Sequence, residues 1–142
     1  MLRQPASVLV VIYNEEKQFL LLQRKDDSEF WQSVTGGIDS GELSIDTAYR
    51  ELKEETGIDA KALKLEIKQH NTENHYEIRP QWRHRYVEGA TINTEHVFSI
   101  CVPNHTVVRL CADEHTDFVW LTQSDAAKKV WSESNRKEIL AI

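Results

Sequence analysis

Apolar positions along this chain switch between the rhythm of a strand and that of a helix, and the switches divide it into elements. Ser7 to Tyr13 and Phe19 to Gln23 are apolar, β-branched or leucine-rich runs separated by the polar turn Asn14-Glu15-Glu16-Lys17, which predicts a strand pair. Gly36, Gly37 and Gly41 then punctuate a loop. From Ser44 to Thr56 the period becomes helical, with Ile45, Ala48, Tyr49 and Leu52 recurring at the three-and-four spacing of a buried face. Ser44 is the expected N-cap, and Gly57 stands where a left-handed residue ends a helix.

Farther on, Ala62 to His70 alternates like a half-exposed strand, and Thr94 to Val102 predicts another. The segment between them, Asn71 to Thr94, is polar, aromatic and arginine-containing without a clean period. It is expected to be an irregular loop, or a strand pair whose side chains serve a site. Asp117 to Leu121 predicts a short late strand, and Ser124 to Val130 and Ser134 to Ala141 predict closing helices. No repeat or proline-rich linker divides these elements. The 142 residues suit one domain, 1–142, mixing helices and strands around a single core.

Composition narrows the function classes. With 40% hydrophobic and 28% charged residues, and no apolar run long enough for a bilayer span or a leader, the expectation is a soluble cytoplasmic protein without membrane contact. Cys101 and Cys111 lack the spacing of metal ligands and are expected to be reduced thiols. A net charge of −6 argues against nucleic-acid or anionic-membrane partners. A small anionic substrate is compatible with it, because metal ions and local arginines reverse the sign of a pocket. The six histidines are scattered without ligand spacing and read as surface or strand residues, His84 being the one worth testing. Nothing in the pattern sets an oligomeric state.

The helix carries the chemistry. Glu51 and Glu55 project from one side a turn apart, with Glu54 beside them, while Ile45, Ala48 and Leu52 turn the other way. Such a face is usually a solvated surface. Clustered oxygens are also what a hard divalent cation takes when it keeps positions open for water and phosphate. The wider spacing decides between them: Gly36, then Glu42 after five residues, Arg50-Glu51 after seven more, then Leu52, Glu54-Glu55, Gly57 and Ile58. Position by position this resembles the signature of the Nudix hydrolases.

The resemblance implies an α/β Nudix fold, a mixed β-sheet between α-helices with the motif as a loop-helix-loop. It also implies hydrolysis of a diphosphate linkage with Mg²⁺, for which Mn²⁺ can substitute. Glu51, Glu55 and Glu54 become the metal ligands, Arg50 a support that orients a carboxylate, and Gly36 and Glu42 further supporting residues. Outside the motif, Arg-Gln-Pro-Ala-Ser-Val-Leu near the start, the stretch from Phe30 to Gly37, Gly89 to Phe98, Asp113 to His115 and Trp131 to Arg136 resemble the branch of the family that acts on a pterin triphosphate in early folate synthesis. A nucleoside triphosphate is the alternative small-molecule substrate.

By that resemblance Glu114 is the carboxylate contributed from outside the motif, and Thr35 and Ser134 are substrate contacts. Arg24, and with it Arg83 and Arg85, suits phosphate oxygens because a guanidinium grips them bidentately. Trp31, Tyr76, Trp82 and Tyr86 are candidates to cover a flat ring. An RNA-processing role would need a basic groove that the overall charge disfavours, and a non-catalytic binding module would have lost carboxylates that are all present here.

Overall fold

A computed structural model describes residues 2–142. Seven strands share one mixed sheet: β1 (Ala6–Asn14), β2 (Gln18–Arg24), β3 (Trp31–Gln32), β4 (Val34–Gly37), β5 (Lys68–Glu77), β6 (Ile92–Val102) and β7 (His115–Thr122). Helix α1 (Ser44–Thr56) covers one face, and α2 (Gln123–Lys129) with α3 (Glu133–Leu140) covers the other. No described helix is long and apolar enough to cross a membrane.

Strand β1 is the centre of the sheet. One edge runs parallel to β6 along its whole length, from Ala6 opposite Thr94 to Asn14 opposite Val102. The other edge is divided, its first half pairing antiparallel with β4 and its end with β2 at Tyr13 and Phe19. Both faces of β1 are buried, which explains its unbroken apolar run. Val8, Val10 and Ile12 pack with Ala48 and Leu52 of α1, while Leu9 and Val11 pack with Ala126, Ala127 and Ile139. Each such side chain contributes about 1.5–3 kcal/mol by leaving water.

Helix α1 has the limits that its sequence predicts, and it stops at Gly57, whose φ of 74° lets its N–H bond back to the Lys53 carbonyl. Its start differs. The N-cap is Leu43, extended and without a side-chain cap bond, and Ser44 is already inside the helix. Glu42 takes over the polar work there, accepting from the Asp39 N–H and the Thr47 hydroxyl.

Two strand expectations are corrected. Gly36 and Gly37, expected in a loop, are the last residues of strand β4, which pairs with β1. The strand placed at Ala62 to His70 begins only at Lys68 and continues to Glu77, because Ala60 to Leu65 closes a turn through the Leu65 N–H to the Ala60 carbonyl. The irregular segment is therefore the rest of β5, a 3-10 turn at Pro80–Arg85 and the beginning of β6. The turn is tied to the N-terminal segment by Arg3 N–H to the Arg85 carbonyl and Val87 N–H to the Arg3 carbonyl.

Candidate active site

Arg50 organises the acidic end of α1. Its guanidinium donates Nε to Glu42 Oε2 and Nη2 to Glu42 Oε1, both at 2.9 Å, and Nη1 to Glu51 Oε1 at 2.8 Å and Glu54 Oε2 at 3.3 Å. A further bond from Nη2 reaches the Gly37 carbonyl at 3.1 Å, fastening the helix to β4. The Arg50 fork pulls the Glu42 carboxyl down to about 2 from its ordinary 4.5. Gly36 supplies the room for Glu51: a Cβ built at this glycine would stand 2.1 Å from Glu51 Cδ.

Glu51 and Glu55 do not project into open solvent, as an acidic helix face suggests, but are buried to 9% and 1% exposure. Burial raises both carboxyls above their ordinary range, and for Glu55 the neighbouring Glu51 charge adds to it. Neither Glu55 oxygen has a hydrogen-bond partner among the described residues. The nearest basic atom is His115 Nε2, 3.5 Å from Glu55 Oε1 and 3.3 Å from Gln32 Nε2. Burial, and then the Arg24 charge, push His115 down to about 4, so its ring is neutral at neutral pH and does not compensate Glu55.

One ligand atom from each of Glu55, Glu114 and His115 lies within 4.8 Å of the others. Glu114 is exposed, on the turn entering β7, and its carbonyl accepts from the Lys25 N–H. A buried carboxylate without a donor, beside a second carboxylate and a neutral imidazole, is a donor set that fits a divalent cation.

These groups open into a cavity of about 1650 Å³. Thr35, Gly36, Arg24, Arg85, Ser134, Glu51, Glu55 and Glu114 line it; Glu42, Glu54 and Arg83 do not. Arg83 instead donates to Glu77 and to the Ile78 carbonyl. His84 also stands away from the cavity. Arg24 is clamped by Asp26 through two bonds of 2.8 Å and lies 4.7 Å from the centre of the Trp82 ring. Arg79 covers Trp82 and Trp131 at 4.5 and 4.9 Å, and Phe30 stacks on Trp131 with centroids 4.7 Å apart. The result is a wall of aromatic rings and guanidinium planes.

Sequence reasoning misses several of these residues. His115, expected as a surface or strand residue, is the first residue of β7, and it is buried because β7 pairs with β2 and sets it opposite Arg24. Phe30, Arg79 and Trp131 come from three distant segments; Phe30 and Trp131 open stretches that carry the resemblance, and Arg79 has no such signal. Trp31, a candidate ring cover, packs instead against the α2 and α3 core, with Lys129 over its ring. Tyr76, Trp82 and Tyr86 do line the cavity.

Comparison with known proteins agrees with this geometry. The NUDIX domain signature matches residues 3–141. The dihydroneopterin triphosphate diphosphatase of Escherichia coli K12 is 41% identical over 138 residues, covering 96% of this chain and 91% of that protein. The Haemophilus influenzae protein of the same name is 39% identical over 134 residues, covering 94% and 84%. The solved structure of the E. coli dihydroneopterin triphosphate pyrophosphohydrolase superimposes with a TM-score of 0.94 at 40% identity, covering 100% of this chain and 97% of the other. A motif matched at each fixed position, the sheet that carries it and this likeness over nearly the whole length together place the chain in the NUDIX domain family.

Proposed function

We propose that this protein hydrolyses dihydroneopterin triphosphate to dihydroneopterin monophosphate and pyrophosphate, with Mg²⁺ or Mn²⁺ as cofactor, as a step of folate synthesis. The observation that carries the reading is likeness to the E. coli enzyme at 41% identity across 96% of the chain. The cavity supports it: acidic groups for a metal at one end, a clamped arginine beside them and an aromatic wall for a flat ring.

Glu51, Glu55 and Glu114 are the carboxylates that would hold the cation, with Glu54 at the exposed edge of the group. A divalent ion bound there supplies positive charge for phosphate oxygens and lowers the pKa of a water. The chain's own residues do the rest. Arg50 fixes the rotamer of Glu51 through a 2.8 Å bond, and its charge opposes the rise that burial imposes on that carboxyl. Arg24, held by Asp26 through Nε and Nη2 and lying over Trp82, has its Nη1 side left for the phosphates. The neutral His115 gives Glu55 no compensating charge, which leaves its unpartnered oxygens for a cation. One carboxylate of the group accepts the proton of the attacking water.

The test is steady-state hydrolysis of dihydroneopterin triphosphate beside common nucleoside triphosphates, with Mg²⁺ and with chelator, scoring pyrophosphate against phosphate. A preference for the pterin with pyrophosphate release supports the assignment. A higher kcat/KM on a nucleotide rejects the substrate while keeping the reaction type.

A further inference from the structure

Glu95 on β6 is 4% exposed, lines the cavity and has no part in the reaction centre described above. Register locates it. Glu95 pairs with Ser7 on β1, and Ser7 pairs with Gly37 on β4, so Glu95 stands two strands, roughly 10 Å, from the strand whose Gly36 abuts Glu51. Its Oε1 accepts from Ser134 Oγ at 3.0 Å and from Asn74 Nδ2 at 3.3 Å. Among the described residues its Oε2 accepts no hydrogen bond, and the Glu95 carboxylate has no ion pair. The nearby Lys137 is spent on Asn74 Oδ1 at 2.7 Å and on Glu138 at 3.5 Å.

A carboxylate nearly withdrawn from water and answered on one oxygen alone is costly to keep for the fold's sake. Its open side faces the cavity, where a donor pair would complete it. We infer that Glu95 reads the substrate's ring, accepting the two adjacent N–H donors that a 2-amino-4-oxo pyrimidine edge presents at N3 and at the exocyclic amino group. The inference rests on the pterin reading above. Two parallel N–H groups match the spacing of a carboxylate's oxygens, as a guanidinium fork does. The 3.3 Å bond from Asn74 is the one that yields, since Asn74 is better engaged with Glu138 at 2.9 Å. Guanine carries the same donor pair as a pterin. Hypoxanthine lacks the amino group, and adenine turns an acceptor nitrogen toward the carboxylate.

The experiment measures kcat/KM for dihydroneopterin triphosphate, dGTP and dITP with Mg²⁺, in the wild type and in Glu95→Gln. The wild type is expected to favour dGTP over dITP by about tenfold or more, and Glu95→Gln to bring that ratio near one while lowering pterin turnover about ten- to a hundredfold. A wild-type ratio near one overturns the inference without any variant. A uniform loss in Glu95→Gln with the ratio unchanged makes the residue structural and also overturns it. Hydrolysis of dGTP without hydrolysis of the pterin would remove the proposed substrate, and the dGTP to dITP ratio would still decide the role of Glu95.

Discussion

Gly36 and Glu51 occupy complementary space: the carboxyl of one fills the volume in which a side chain on the other would begin, 2.1 Å from its Cδ. The glycine is thus required by the neighbour's position, not by an unusual backbone angle. Gly36→Ala must displace Glu51 or part β4 from α1. It is expected to lower kcat about a hundredfold, as a misplacement near 1 Å does, and to cost about 1–3 kcal/mol of stability from overpacking. Activity and melting curves read both. Full activity in Gly36→Ala would mean that the position of Glu51 is not critical.

Glu55 should trade stability for function. With both oxygens buried and without donors, its charge is a liability until a cation binds. Glu55→Gln is expected to abolish turnover yet raise the melting temperature of the chelator-treated protein, by about 2–4 °C for each 1 kcal/mol recovered. Added Mg²⁺ should stabilise the wild type, by about 2.7 kcal/mol at a hundredfold excess over Kd, and leave the variant nearly unmoved. A variant that melts lower than the metal-free wild type, or responds equally to Mg²⁺, contradicts this ligand assignment.

The Arg50 fork makes Glu42 a pH-dependent strut. Its folded value of about 2 lies below the ordinary 4.5, so the protonated form is disfavoured by folding. Its stabilising share is complete above about pH 4.5 and is lost as pH falls toward about 2. The melting temperatures of wild type and Glu42→Gln should therefore be farthest apart near neutrality and converge in acid. A gap independent of pH would show that Glu42 acts by shape rather than charge.

Arg24 differs from a free surface arginine because Asp26 and Trp82 fix its plane. Arg24→Lys keeps the charge and loses the fork, and is expected to reduce kcat/KM about ten- to a hundredfold. A kcat/KM within twofold of the wild type would take Arg24 out of phosphate binding.

The sequence makes α1 legible because its apolar face, its glycine stop and the motif agree residue by residue. Strand β1 is legible because two buried faces demand an unbroken apolar run. Strands β3 and β4 are not, since two and four residues are too few to display a period and glycine argues against a strand. The burial of Glu51 and Glu55 also escapes the sequence. Acidic residues on a helix read as solvated, and what encloses them comes from other elements: Gly36 on β4 beside Glu51, and His115 from the distant β7 beside Glu55, with Gln32 behind it. Glu95 has the same difficulty: within the polar run Asn93-Thr94-Glu95-His96 it looks the same whether it meets water or a ligand.

The parallel pairing of β1 with β6 sets the order in which the protein can assemble. It joins segments roughly ninety residues apart, so the central contact carries a large loop-closure cost and a high contact order. On a ribosome adding roughly 5–20 residues per second, β1 waits several seconds for the partner that completes it. During that interval Val8 to Ile12 is an apolar, β-branched segment with an unpaired edge. The residues that make the deepest part of the finished core are, for a nascent chain, the ones most in need of a chaperone.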